Sequence, residues 1–180
     1  LWVIMSSFKT NAQILTSAIT LPTQISFEGY SMALQVSPIL RYFFNSVAIA
    51  LISTFLNVFL VSMAAYAFAR TRFRLKGLLF SILAMAMVIP VTALMQPVYQ
   101  VITALGLSDS LPGLILVYMA LNMPLTLLIM RATFEGVPRS LEEAAYIDGA
   151  GFMHTYLKVM LPVAKGGLAS AAVLAFHNAW

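Results

Sequence analysis

Two long stretches without a single charge constrain this chain more than any other feature. One runs from Tyr42 to Ala69, about 28 residues, and the other from Gly77 to Ser108, about 32. A helix crossing the hydrocarbon core of a bilayer needs roughly 20 predominantly apolar residues, so each run is long enough to span. Only 9% of the residues are charged and 61% are hydrophobic. Soluble domains carry about 25% charge, so these charges are too few to cover a water-facing surface. The chain is therefore expected to be an all-α polytopic membrane protein.

The formal charge of +4 and the pI near 9.6 would suggest nucleic acid in a soluble protein. Here the basic residues flank apolar runs, where they fix orientation, and no nucleic-acid partner is expected. The absence of cysteine removes disulfides and thiolate metal sites.

Leu1–Met5 reads as the tail of a first span, with Trp2 near the interface. A start at Leu1 and a stop at Trp180 inside an apolar segment read as a fragment missing both ends, with no signal peptide visible. Residues 6–41 are rich in Ser, Thr and Gln and contain Pro22, Gly29 and Pro38. They read as an extracytoplasmic loop with turns. A span follows over Tyr42–Ala69, then a basic loop with Arg70, Arg72, Arg74 and Lys76. The next span, from Gly77 to about Ile102, contains Pro90 and Pro97 and should be kinked or broken. In the turn at 106–112, Asp109 or Ser110 can cap a new helix and Pro112 suits its first turn. That helix is expected to reach about Met130, with Pro124 inside it, before a polar stretch over 131–165. The last apolar segment, Gly166–Trp180, is too short to span as it stands.

Arg70, Arg72, Arg74 and Lys76 lie in one loop, and Arg131, Arg139, Lys158 and Lys165 in the later polar stretch. These are 4 + 4 = 8 of the 10 basic residues. Two spans separate the loops, so they share a side, and the positive-inside rule makes that side cytoplasmic. Lys9, Arg41 and the turn at 108–110 then face outward.

Within the cytoplasmic stretch, Ser140-Leu-Glu-Glu143 has the spacing of a capping box, Ser140 accepting from the Glu143 N–H and Glu143 reaching back. A helix is expected over about Leu141–Asp148, ended by Gly149 in the left-handed region. A second helix starts near Phe152, with Phe152, Tyr156, Val159 and Met160 on one face, and Pro162 marks its end. The first helix is too short to be stable alone. Ala144 and Ala145 would let another backbone approach closely, which fits a docking helix and an interfacial hairpin equally well. Glu142 reads as a solvated first-turn acid. Asp148 sits at the helix end that disfavours negative charge, which hints at another partner.

Asn45, Asn57, Gln96 and Asn122 fall in predicted spans. They can line a solute path, but hydrogen bonding between helices is the commoner role. His177 is the one ionisable residue in these spans, which argues against a proton-coupled pump. His154 and His177 lack companions for a metal site, and no nucleophile–base pair suggests an enzyme.

Glu143-Ala144-Ala145, three residues, Gly149, nine residues, and Val159-Met160-Leu161-Pro162 resemble the EAA loop, E-A-A-x3-G-x9-I-x-L-P. That loop belongs to the membrane subunits of binding-protein-dependent ABC importers, and Val159 for Ile is the one departure. Asp148-Gly149-Ala150, Phe176 with Trp180, and Asn45-Ser46 look most like the carbohydrate-uptake branch, in particular its maltose-type smaller permease. The resemblance implies the MetI-like helical fold of type I importer permeases, here about five of six spans, in the bacterial cytoplasmic (inner) membrane. It also implies an ATPase-coupling set of Glu143, Ala144, Ala145, Gly149, Leu161 and Pro162, with Glu143 in polar contact with the ATPase and Gly149 supplying the turn. Implied partners are a cytoplasmic ATPase dimer, a second related permease, an extracytoplasmic solute-binding protein and membrane lipid. The chain would be non-catalytic and bind no cofactor, ATP and Mg residing on the ATPase, and would carry a sugar or oligosaccharide. The competing reading is an ATP-independent secondary transporter or channel, with Pro90, Pro97 and Pro124 breaking helices around a site.

Overall fold

A computed structural model of the protein describes residues 2–16, 20–22 and 24–180. Leu1, read as part of a span's tail, and positions 17–19 and 23 of the 6–41 loop lie outside the described residues. No strand occurs among the described residues, so the all-α expectation holds. The chain divides into two compact units, Leu1–Ser46 and Val47–Trp180.

The first unit contains α1 (Trp2–Ser6), α2 (Asn11–Thr16), α3 (Glu28–Val36) and the opening turns of α4 (Ile39–Arg70). The stretch expected to be a loop is therefore partly helical. The Ser26 hydroxyl accepts from the Glu28 N–H at 3.2 Å, and Glu28 places negative charge at the start of α3. Ser37 ends α3 in an extended conformation, as a residue before proline prefers. The Phe8 ring meets Phe27 and Tyr30, both at 5.7 Å, and the Ser7 and Tyr30 hydroxyls lie 2.7 Å apart. These contacts tie α1 to α3.

In the second unit, α4 and α7 (Leu111–Gly136) are each long and apolar enough to cross a membrane. The 32 residues of α4 extend about 48 Å at 1.5 Å per residue. That exceeds the hydrocarbon thickness of about 30 Å, so α4 carries part of its length beyond the core. The second charge-free run does not form one straight helix. Here α5 (Lys76–Met85) passes through a 3-10 turn at Ala86–Val88, stops at Pro90, and restarts as α6 (Val91–Ala104) at an angle of 112°. Proline lacks the N–H to continue the ladder and pushes the preceding residue toward extended geometry; Ile89 has ψ 121°. Of the two prolines flagged by sequence, Pro90 makes the break, whereas Pro97 is accommodated inside α6.

Ser110, not Asp109, caps α7: its hydroxyl accepts from the Gly113 N–H at 3.2 Å. Asp109 instead takes the left-handed turn position, φ 51°. The helix expected to end near Met130 continues to Gly136. Arg131 thus stands on a helix, because its charge is satisfied there. Its Nε donates to Glu135 at 2.7 Å, one turn on, and its guanidinium lies 3.9 Å from the centre of the Phe80 ring.

The core gathers Val61, Tyr66, Leu127, Phe134, Tyr156 and Met160 around alanines that allow close helix contact. Two polar nodes cross it. Asn57 on α4 donates to the Met119 carbonyl at 2.7 Å and accepts from the Thr126 hydroxyl at 2.6 Å, both on α7. Asn178, on α11 (Lys165–Ala179), donates to Asn122 Oδ1 at 2.9 Å. For Asn57 and Asn122 the interhelical role is the observed one.

Between α7 and α11, Gly167 faces Thr133 so closely that a Cβ there would overlap the threonine side chain. Gly167→Ala should therefore lower stability in detergent by about 1–3 kcal/mol through overpacking. Thermal unfolding of the full-length protein would show it, with partial recovery on adding Thr133→Ala.

Candidate functional site

The motif found in the sequence folds into a short helix, a tight turn and a second, irregular helix. α8 (Ser140–Ile147) begins two residues after Pro138. Arg139 is already in the right-handed helical region, and its carbonyl accepts from both the Glu142 and Glu143 N–H groups at 3.0 Å. Ser140 is consequently the first residue inside the helix rather than its cap, and the expected Ser140–Glu143 capping box does not form. The Glu143 N–H, which the box would have served, is taken by the Arg139 carbonyl instead.

The C-terminus of α8 follows expectation. Gly149 has φ 81°. Its N–H donates to Tyr146 at 3.0 Å, and the Ala150 N–H donates to Ala145 at 2.9 Å. This pair of bonds is the Schellman arrangement, which needs a left-handed residue where glycine stands. A side chain with a Cβ costs about 1–2 kcal/mol in that conformation. Gly149→Val should accordingly loosen the turn by about that amount, read as faster amide exchange at Gly149 and Ala150.

One face of α8 is buried through Glu142 and Ala145, and the other exposes Glu143, Ala144 and Ile147. Ile147 is 86% exposed, an apolar knob one turn from Glu143. This face comprises two of the predicted coupling positions, Glu143 and Ala144, while Ala145 packs inward; it gains Ile147, which the motif does not mark.

Of the two glutamates, Glu143 is exposed and Glu142 departs from its reading. Glu142, expected to be solvated, is buried, and its Oε1 lies 3.1 Å from Arg70 Nε at the end of α4. The contact is ionic, since the Nε–H is not aimed at that oxygen. The same guanidinium donates from Nη2 to the Val137 carbonyl at 2.6 Å, just before α8. At 100° per residue, a helix that begins at Ser140 turns Glu142 inward and Glu143 outward.

Beyond the turn, α9 (Phe152–Thr155) leads into a π-helical turn over Tyr156–Met160 and then α10 (Leu161–Val163). The expected helical face is altered here: Thr155, Tyr156 and Met160 are buried, while Phe152 is exposed and Val159 half-buried. A widened turn follows from Pro162, which cannot donate to the Lys158 carbonyl and would crowd it in a regular helix. Leu161 packs on the core, Pro162 is exposed, and the chain bends by 79° into α11.

Three residues of α4, spaced one turn apart, meet this element. The Ser62 hydroxyl is 2.7 Å from that of Tyr156. The Tyr66 ring lies 4.8 Å from Phe152, 5.3 Å from Tyr156 and 5.4 Å from Phe134. Arg70 holds Glu142 and Val137. Ser62 and Tyr66 did not stand out in the sequence, and Arg70 was read only as part of the basic loop, although the three at intervals of four were a legible polar stripe in an apolar helix. Asp148 lines an open cleft of about 390 Å³ with Gly149, Gly151, His154 and Val159.

The model of the family described as binding-protein-dependent transport system inner membrane component matches residues 28–180. Among curated proteins, the chain is 37% identical over 180 residues to the diacetylchitobiose uptake system permease protein NgcG of Streptomyces coelicolor, covering 100% of this chain and 60% of that one. It is 35% identical to the sulfoquinovosyl glycerol transport system permease protein SmoH of Agrobacterium fabrum, covering 100% and 64%. The chain thus spans less than two thirds of the length of these relatives. Its structure superposes with a TM-score of 0.88 and 27% identity on a chain from the crystal structure of a bacterial ABC transporter involved in the import of the acidic polysaccharide alginate, covering 99% of this chain and 63% of the other. By sequence and by fold, the chain belongs to the family of inner membrane components of binding-protein-dependent transport systems.

Proposed function

We propose that this chain is part of the transmembrane subunit of an ATP-driven importer of a sugar or oligosaccharide, and that α8 with its Gly149 turn is the element through which a cytoplasmic ATPase dimer acts on it. The reading rests chiefly on one observation. A short helix carrying the EAA spacing ends in a tight turn and presents Glu143, Ala144 and Ile147 outward while its inner face is fixed to α4. A lever transmits displacement when its turn is rigid and its base is tied down, and α8 has both properties. The names of the relatives, which refer to diacetylchitobiose, sulfoquinovosyl glycerol and trehalose, favour a carbohydrate cargo. Glu143, Ala144, Ala145, Gly149, Leu161 and Pro162 remain the proposed coupling set, with Ile147 added for its exposure.

The distribution of basic residues supports a cytoplasmic position for α8 and an extracytoplasmic one for residues 6–41. The latter stretch would then face the solute-binding protein, and a second related permease would complete the path. In this reading ATP and Mg bind the ATPase and this chain has no catalytic role.

The test is reconstitution of the full-length protein with the ATPase and second permease that co-purify with it. Sugar uptake should require ATP and a loaded binding protein. Uptake that runs without ATP, down a solute gradient alone, would favour a secondary transporter and sink the proposal.

A further inference from the structure

We propose that Arg70 is the positioning residue that makes α8 and α4 move as one body; this rests on the coupling reading above. The membrane-crossing helix α4 ends at Arg70, and α8 begins ten ångströms of chain or so beyond α7, so without a cross-link the short helix would be joined to α4 only through packing. Arg70 supplies that link in two places at once. Nε meets Glu142 inside α8, and Nη2 holds the Val137 carbonyl in the segment that leads into it. The two side chains are 7% and 9% exposed, so water competes little for either partner and the pair is not the weak surface kind.

The guanidinium serves its two partners differently: its charge holds Glu142, and its Nη2–H is aimed at the Val137 carbonyl. A guanidinium N–H points in a fixed direction, whereas an ammonium is a point charge on a flexible stem. Tyr66, one turn earlier on α4, packs at a tilt against Phe152 and Tyr156 on the far side of the Gly149 turn. Both arms of the hairpin are therefore gripped by one stripe of α4, the first by Arg70 and the second by Tyr66 with Ser62. A push on the exposed face of α8 has nowhere to dissipate and passes to α4. Residues outside the substrate path and outside the ATPase contact would thus set how much solute moves per ATP.

The experiment compares Arg70→Lys and the volume-matched Arg70→Met/Glu142→Leu double variant in the full-length transporter, reconstituted with its ATPase, second permease and binding protein. Arg70→Lys keeps the charge beside Glu142 and loses the directed bond to Val137; the double variant removes the buried pair without leaving a lone charge. Both should insert and co-purify the ATPase. ATP hydrolysis should persist but lose its response to loaded binding protein, and solute moved per ATP should fall at least tenfold. An unchanged ratio in either variant, with a working parent, would overturn the joint alone. Failure of both variants to insert would overturn it too, since the pair would then serve folding rather than transmission. A parent that hydrolyses no ATP during uptake would remove the coupling reading and the joint with it.

Discussion

Glu143→Ala combined with Gly149→Pro is expected to abolish ATP-driven uptake while the full-length protein still inserts. Glu143 is exposed on α8, and alanine is the better helix former, so its loss costs the fold little. The proposed loss is of the polar contact with the ATPase. Gly149 has φ 81° and donates its N–H to Tyr146. Proline can adopt neither that φ nor that bond, a cost of about 3 kcal/mol or more. By the usual conversion this reduces the native turn roughly a hundredfold, and uptake should fall by a similar order. α4, α7 and the core around Tyr66 and Phe134 are untouched by either change. Uptake assayed beside membrane fractionation checks both halves of the expectation.

The second large effect concerns Asn57, where the sign of the dipole decides the outcome. Its amide donates to the Met119 carbonyl and its oxygen accepts from Thr126. Asn57→Leu removes both bonds, but the Thr126 hydroxyl can turn to a carbonyl of its own helix. Interhelical hydrogen bonds in membranes average about 0.6 kcal/mol and reach about 1.7, so the loss should be about 1–2 kcal/mol. Asn57→Asp keeps the shape yet sets a carboxyl oxygen against the Met119 carbonyl. A carboxylate at mid-helix costs about 3 kcal/mol to insert, and that cost adds to the lost bond. Thermal unfolding in detergent should rank the parent above Asn57→Leu and Asn57→Leu above Asn57→Asp. If the two variants proved equal, packing rather than hydrogen bonding would be what Asn57 supplies.

Features controlled by local chemistry were legible in the sequence. The charge-free runs located α4 because bilayer thickness sets a minimum apolar length. Pro90 located the break between α5 and α6, and Gly149 the left-handed turn, because few other residues suit those conformations. Features requiring distant partners were not legible. Glu142 looks solvated from its neighbours, and only the fold brings Arg70 to it. Arg131 looked like the start of a loop because its ring partner, Phe80, comes from α5. The capping box failed for a subtler reason. S-x-x-E marks a helix start only if Ser lies outside the helix, and Pro138 starts the turn one residue too early for that. Periodicity also misassigned the second helix, since a count of 3.6 cannot anticipate the π turn at Tyr156–Met160. The candidate site was thus found as a stretch of chain, while its inner and outer faces came from the fold.

On the proposed coupling, an ATPase covers the outward face of α8. These 180 residues contain no cysteine, so Ile147→Cys places a single thiol in this region on the most exposed apolar residue of that face. The most direct measurement is the reactivity of that thiol toward a membrane-impermeant maleimide applied from the cytoplasmic side, with the full-length protein alone and assembled with its ATPase. Rapid labelling of the isolated subunit, protection of at least tenfold in the complex, and a short-range cross-link from residue 147 to the ATPase are expected. Equal labelling with and without the ATPase, and no cross-link to it, would mean that the ATPase does not dock on this face.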